Sequence, residues 1–182
     1  GTSIAGIAPD ARILPLKVFR DSEGGFTMSG YLEAIRYAAD QGADVINISL
    51  GCGGSTSCFS QAELDALTYA TERGVTVIAA AGNSSRDNDA PATPDFPSGY
   101  EIPGIVSVTS STRFGEWSTW SSFGRRTVDL AAPGEAILVA APLGSYRTVT
   151  GSSFSAPYTS GVAALIVAQT PTLSPTEVRE RI

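Results

Sequence analysis

Apolar residues in this chain form short continuous runs that alternate with segments of mixed polarity. Each run has the length of a β-strand, and the runs lie at residues 12–19, 44–50, 75–80 and 105–109. The run at 44–50 is apolar at nearly every position, which is typical of a strand that is covered on both faces. Strands of this kind indicate a sheet with helices on each side.

Between the runs, apolar positions recur every three or four residues, which predicts helices. Ser29 is expected to cap the first helix, and a capping box at 60–63 opens the second, which stops at Gly74. A further apolar helix is predicted at 156–169, and a second capping box at 174–177 opens a last one. Strands that alternate with helices predict an α/β fold with a mostly parallel central sheet.

Composition and charge narrow the class of protein. The 182 residues suit one domain with a sizeable core. A net charge of −6 and a single lysine, Lys17, argue against nucleic acid as a partner, because phosphate binding needs clustered Lys and Arg. No apolar run reaches the roughly 18–20 residues that a membrane-spanning helix needs, so we expect no membrane as a partner.

The two cysteines, Cys52 and Cys58, lie in a loop rich in Gly, Ser and Thr. Their spacing permits a small disulfide-closed loop worth about 2 kcal/mol, with two free buried thiols as the alternative. A surface loop favours the disulfide, and a disulfide favours an exported protein, secreted or extracellular. A zinc site does not fit, because two sulfurs without any histidine cannot supply the usual four ligands.

Residues 151–157 (GSSFSAP) are typical of the turn that presents the nucleophile of a serine hydrolase. Ser153 follows a glycine and a serine at the start of a predicted helix, and a helix N-terminus favours negative charge beside it. The alternative is that Ser153 only caps the helix. A serine hydroxyl also needs a base to take its proton, and the chain contains no histidine. The residues therefore indicate a hydrolase whose catalytic set is incomplete within this sequence.

Four segments, in order along the chain, resemble motifs of the subtilisin-like serine proteases. They are residues 7–11 (IAPDA), 45–51 (VINISLG), 79–83 (AAAGN) and 151–157 (GSSFSAP). The resemblance covers essentially the whole chain. It implies a three-layer subtilisin-like fold, with residues 1–182 as the C-terminal portion of one catalytic domain, incomplete at both ends. It also implies that Ser153 is the nucleophile of a serine endopeptidase.

The resemblance assigns roles to further residues. Asn83 would donate its side-chain amide, beside the Ser153 backbone N–H, to the oxyanion of the tetrahedral intermediate. From the residues alone, Asn83 supports a left-handed turn after Gly82, and the two roles are compatible. Asp95 would lie near the floor of the substrate pocket and favour Lys or Arg, whereas a loop aspartate ordinarily stays exposed and binds nothing. The other residues expected to contact substrate are Gly24, Gly25, Phe26, Ser49, Leu50, Gly51, Ala80, Ala81, Gly82 and Ser152.

Two motifs of the family are missing from the sequence: the catalytic aspartate in an apolar strand, and the histidine. Both would lie before residue 1, so we expect residues 1–182 alone to be inactive, and unstable without the central strand that this segment supplies. Two alternatives stay open: a pseudoprotease that binds peptides as a module, and a split enzyme completed by a second chain. A related acyl transfer, peptide ligation, would use the same residues.

The resemblance also bears on cofactors and partners. No cofactor is required for the chemistry. A structural calcium site is implied near residues 1–4, at Thr2 and Ile4, in a loop with carbonyl ligands. Peptide or protein substrates are the expected partners, together with an N-terminal propeptide or a complementing N-terminal segment.

Overall fold

The computed structural model describes residues 4–19 and 25–182 of the chain. Its helices are α1 (Met28–Asp40), α2 (Gln61–Glu72), α3 (Ser152–Gln169) and α4 (Pro175–Arg181). Its strands are β1 (Val45–Ile48), β2 (Cys52–Gly53), β3 (Thr76–Ala80), β4 (Asp95–Phe96), β5 (Ile105–Ser111), β6 (Leu130–Pro133), β7 (Ile137–Ala141) and β8 (Ser145–Val149). Short 3-10 helices lie at Thr56–Cys58 and Pro142–Gly144. The predicted α/β class is confirmed.

Four parallel strands form the central sheet, in the order β1-β3-β5-β6. β3 and β5 lie in the middle, and every residue of both strands is buried. Because both faces of these strands are covered, even the polar residues of β5, such as Ser107 and Thr109, are buried. The predicted parallel sheet is therefore confirmed, and the run at 44–50 supplies β1 at one edge.

Helices cover both faces of the sheet. Val77 of β3 faces a core built with α1 and α2, which includes Ile35 and Leu67. The next residue, Ile78, faces the opposite core, where Ala163 of α3 and Val178 of α4 pack. Successive residues of a strand point to opposite sides, so β3 anchors both cores. The chain therefore has three layers: α1 with α2, the sheet, and α3 with α4.

The predicted strand at 12–19 is not formed. In this segment only Phe19 pairs, through an isolated antiparallel bridge to Phe26, and Ile13 is 82% exposed. A strand needs a neighbour that satisfies its backbone hydrogen bonds. Among the described residues β1 pairs with β3 alone, so the segment at 12–19 has not joined the sheet.

Two helices begin earlier than the sequence predicts. α1 starts at Met28 after Thr27, so Ser29 lies in its first turn and does not cap it. α3 starts at Ser152, ahead of the predicted start at residue 156, and contains Pro157. Proline lacks the N–H that would bond the carbonyl four residues earlier. The Ser153 carbonyl is therefore open to another donor.

The two predicted capping boxes differ. At α4, Ser174 accepts from the Glu177 N–H at 3.3 Å, and the Glu177 carboxylate accepts from the Ser174 N–H at 2.7 Å, so the box is complete. At α2, Ser60 accepts from the Glu63 N–H at 3.3 Å. The Glu63 side chain does not return that contact, because it is buried against the hydroxyl of Tyr100.

Candidate active site

The candidate nucleophile lies where α3 begins, beside the end of β1. The hydroxyl of Ser153 donates a hydrogen bond to the Ser49 carbonyl oxygen at 3.2 Å. In return, the Ser49 hydroxyl donates to the Ser153 carbonyl oxygen at 2.8 Å. These two bonds join the first turn of α3 to the segment that follows β1 and leave Ser153 partly exposed.

A chain of polar side chains extends this connection along α3. Pro157 supplies no N–H to the Ser153 carbonyl, and the Ser49 hydroxyl takes that place. The Asn47 amide nitrogen donates to the Ser49 hydroxyl oxygen at 2.9 Å, and Ser160 donates to the Asn47 amide oxygen at 3.1 Å. Ser160 lies outside the motif segments, and Asn47 lies within the segment 45–51 without an assigned role. The one signal is a polar Asn within an apolar run.

Asn83 is held so that its amide nitrogen remains available. Its Oδ1 accepts hydrogen bonds from the backbone N–H and from the hydroxyl of Ser152, each at 2.8 Å. A backbone N–H can only donate, so the atom facing it is the amide oxygen. Nδ2 points elsewhere and has no acceptor among the described residues. Ser152 itself is fully buried. Its contact with Asn83 therefore orients the Asn83 amide group.

Two N–H groups beside the Ser153 hydroxyl have no acceptor among the described residues. Ser153 is the second residue of α3, and the first N–H groups of a helix have no acceptor within it. The donors are this N–H and Asn83 Nδ2, and the helix N-terminus favours negative charge near them. Within the described residues, the Ser153 hydroxyl bonds a carbonyl oxygen, which cannot take its proton, and the sequence contains no histidine.

A cleft of about 250 Å³ opens beside Ser153. That volume is below the roughly 300–1,000 Å³ of small-molecule pockets and suits a single amino-acid side chain. The motif segments at 45–51, 79–83 and 151–157 meet here, and Gly53 and Ser84 join them without having been predicted. The lining consists of Ser49, Leu50, Gly51, Gly53, Ala80, Gly82, Asn83, Ser84, Asp95, Ser152 and Ser153.

Some residues expected at the substrate site do not line this cleft. Ala81 is fully buried, and its backbone N–H and carbonyl both bond within the protein. Phe26 packs its ring against two other aromatic rings, with centroid distances of 5.7 and 5.5 Å. Neither Phe26 nor Gly25 lines the cleft, and Gly24 lies outside the described residues.

The implied calcium site involves the first residues of the chain. Thr2 lies outside the described residues, and Ile4 is half-buried. The described ranges hold no group of three or more His, Cys, Asp or Glu side chains that could bind a metal ion. Calcium takes roughly six to eight oxygen ligands. The described ranges therefore offer no acidic cluster for calcium, and a site at Thr2 and Ile4 would need backbone carbonyls together with further ligands.

The predicted disulfide between Cys52 and Cys58 is present, and neither cysteine is free. Cys52 belongs to β2, which pairs antiparallel with β4. This pairing places Cys52 opposite Phe96 and Gly53 opposite Asp95. The disulfide-closed loop therefore lies directly against one wall of the cleft.

Asp95 is a buried carboxylate in that wall, unlike an ordinary loop aspartate. Its exposed fraction is 6%. Ser98 donates to Oδ1 at 3.0 Å, and this is the one hydrogen bond of the carboxylate among the described residues. A Cβ at Gly53 would overlap Oδ2, and one at Gly82, whose φ is +102°, would lie 3.0 Å from it. Burial raises the pKa of Asp95 to about 6, against the effect of the Ser98 hydrogen bond.

Comparison with known proteins decides the family of this chain. A sequence profile described as the subtilase family matches residues 1–182. The chain belongs to the subtilase family. Thermitase from Thermoactinomyces vulgaris is 38% identical to this subtilase over 168 residues, which are 92% of the chain and 56% of thermitase. Subtilisin DY from Bacillus licheniformis is 34% identical over 181 residues, which are 100% of the chain and 63% of that protein.

Solved structures agree with the fold of this subtilase. A cold adapted subtilisin-like serine proteinase matches with a TM-score of 0.82 at 33% identity, covering 96% of this chain and 60% of the other. The patellamide maturation protease PatA matches with a TM-score of 0.86 at 31% identity, covering 98% and 65%. The predicted subtilisin-like fold is confirmed, and the chain spans less than two thirds of each protein compared here.

Proposed function

We propose that this subtilase is the part of a serine endopeptidase in which Ser153 attacks the carbonyl carbon of a peptide bond. The observation that carries the proposal is that Ser153 and Asn83 meet at a cleft of side-chain size, with no acceptor for Asn83 Nδ2 among the described residues. Relatives named as serine proteinases support the same chemistry.

In the proposed reaction, a base removes the Ser153 proton while the serine oxygen attacks, which gives a tetrahedral intermediate. Asn83 Nδ2 and the Ser153 N–H stabilise its negative oxygen. The base then returns the proton to the leaving amine, and water releases the acyl group by the reverse sequence. We assign the base to a histidine outside residues 1–182, and its orientation to an aspartate there, because this chain has no histidine.

The cleft would hold the substrate side chain that precedes the cleaved bond. Residues 49–51, Ala80 and Gly82 would form its walls. Residues 24–26 would pair with the substrate backbone as an added strand. Phe26 already bridges to Phe19 on one side, so the substrate would approach the other edge.

We further propose that the whole protein is exported. The Cys52–Cys58 disulfide supports export, because disulfides persist in oxidising compartments. In the described ranges, no helix has the length and apolar character to cross a membrane. Family membership alone does not decide the compartment, since the major intracellular serine protease of Bacillus subtilis is 34% identical over 164 residues. A propeptide or complementing segment, and calcium at Thr2 and Ile4, would belong to the same longer protein.

Peptide hydrolysis by the full-length protein and by its Ser153→Ala variant tests the proposal. kcat should fall by a factor on the order of 10⁶ in the variant, as on removal of the nucleophile in subtilisin. Ser29→Ala, at an exposed serine in α1, is the control and should retain activity. Residues 1–182 alone should be inactive.

Two outcomes would replace the proposal. Binding of peptides without turnover by the full-length protein would support the peptide-binding module. Activity that requires a second, separately produced chain would support the split enzyme.

A further inference from the structure

Asp95 differs from the paired carboxylates of this chain because it is buried without a cation. The ion pairs of the described residues are Asp40–Arg73, Asp89–Arg126 and Asp129–Arg179, and none of them involves Asp95. An ionised carboxylate is costly to bury unless it is paired. The described residues supply no cation to Asp95, so its partner is a proton or a cation from elsewhere.

One oxygen of this cleft-lining carboxylate has no hydrogen bond among the described residues. Ser98 holds Oδ1 at 3.0 Å, which leaves Oδ2 without a donor. Gly53 and Gly82 border Oδ2 so closely that a side chain at either position would press on it. Both glycines line the same cleft as Ser153. The absence of side chains here keeps the approach to Oδ2 open.

We propose that Asp95 binds the charged end of a lysine or arginine that precedes the cleaved bond, and that the preference of the cleft shifts from charged to uncharged side chains in mild acid. The inference rests on the proposed function, since it takes the cleft as the substrate site. The apolar stem of such a residue would lie along Leu50 and Ala80, while its cation meets Oδ2. An uncharged side chain would leave the carboxylate buried and unpaired, which is a strong basis for discrimination.

The charged groups near Asp95 come from two other elements. On α2, Glu63 bonds Tyr100 at 2.9 Å, and its charge raises the pKa of Asp95. From the loop after β3, Arg86 donates to the Gly53 carbonyl at 3.4 Å without forming an ion pair with Asp95. β2, the strand paired with β4, contributes no charged side chain. Burial is the larger cause and brings the pKa of Asp95 to about 6, so its charge is present at neutral pH and lost in mild acid.

Benzamidine, a small aromatic cation, tests the site without any need for catalysis. In calorimetry at pH 8, the full-length protein should bind benzamidine about tenfold or more tightly than the Asp95→Asn variant, while neutral benzamide should bind both alike. Binding to the wild-type protein should weaken about tenfold at pH 5. Asp65→Asn, at an exposed acid in α2, is the matched control and should bind as the wild type does. Equal benzamidine affinity in wild type and Asp95→Asn, or no weakening in acid, overturns the inference.

A second measurement needs no substitution. The ratio of kcat/KM for two peptides that differ only by lysine or norleucine before the cleaved bond should favour lysine at pH 8 and lose that preference at pH 5. Hydrolysis without any preference for lysine overturns the role of Asp95 and leaves the proposed function intact. Benzamidine binding that depends on Asp95, in a protein that hydrolyses no peptide, would support the cation site and overturn the proposed function.

Discussion

Replacing Asp95 by asparagine should change the free energy of unfolding differently at the two ends of the pH range. The variant should gain stability over the wild type at neutral pH and lose that gain in acid. The folded protein raises the pKa of this carboxyl from 3.8 to about 6. Below about pH 4, the folded and unfolded states both hold the proton, so burial carries no ionic penalty. The penalty grows between about pH 4 and pH 6, where the unfolded chain releases the proton first, and is constant above. A change in pKa of this size corresponds to about 3 kcal/mol.

Urea denaturation of the full-length protein between pH 4 and pH 8 measures this penalty. The difference in free energy of unfolding between Asp95→Asn and wild type should move by about 2–3 kcal/mol in favour of the variant across that range. Asparagine keeps an acceptor for Ser98 and carries no charge. Asp65→Asn is the matched control for the loss of one exposed negative charge. A difference that is the same at both ends of the range would refute the reasoning, because Asp95 would then not be a desolvated carboxylate.

Three further outcomes concern the contacts around the cleft. Ser49→Ala removes the donor to the Ser153 carbonyl, so the free energy of unfolding should fall by about 1 kcal/mol. We also expect kcat to fall while KM changes little. An unchanged kcat would show that this contact does not position Ser153. Asn83→Ala should lower kcat by about 10²–10³, the range known for this donor in subtilisin, and steady-state kinetics with a normal kcat would exclude it from the oxyanion site. Replacing Cys52 and Cys58 together by serine should lower the free energy of unfolding by about 2 kcal/mol, measured in thermal or urea unfolding. KM should rise, because β2 pairs with the strand that carries the cleft wall. A normal KM would show that the disulfide has no part in substrate binding.

Apolar patterning predicted correctly the strands that pair with neighbouring strands. It was wrong for residues 12–19, which join no sheet among the described residues. The runs at 75–80 and 105–109 form central strands because each has a strand on both sides. The run at 12–19 has similar apolar content, yet it stays largely exposed with one bridge at Phe19. Hydrophobicity indicates that a segment can be buried, whereas pairing depends on strands that lie far away in the sequence.

The candidate site was predictable as far as its motifs extend. The segments that follow β1 and β3 meet because the carboxyl ends of parallel strands lie at one edge of the sheet. The burial of Asp95 could not be predicted in this way, because it depends on the pairing of β2 with β4 across a long loop. The contact between Asn47 and Ser160 likewise joins residues 113 positions apart. Local sequence patterns contain no record of such contacts.

Labelling of the full-length protein with a fluorophosphonate probe, followed by peptide mapping in a mass spectrometer, tests the central claim most directly. An activated serine reacts with this probe and an ordinary one does not. One adduct is expected, on Ser153, with peptide hydrolysis lost in proportion to its formation and no adduct in Ser153→Ala. Hydrolysis that persists after labelling, an adduct on another serine, or no adduct at all would contradict the assignment of Ser153 as the nucleophile.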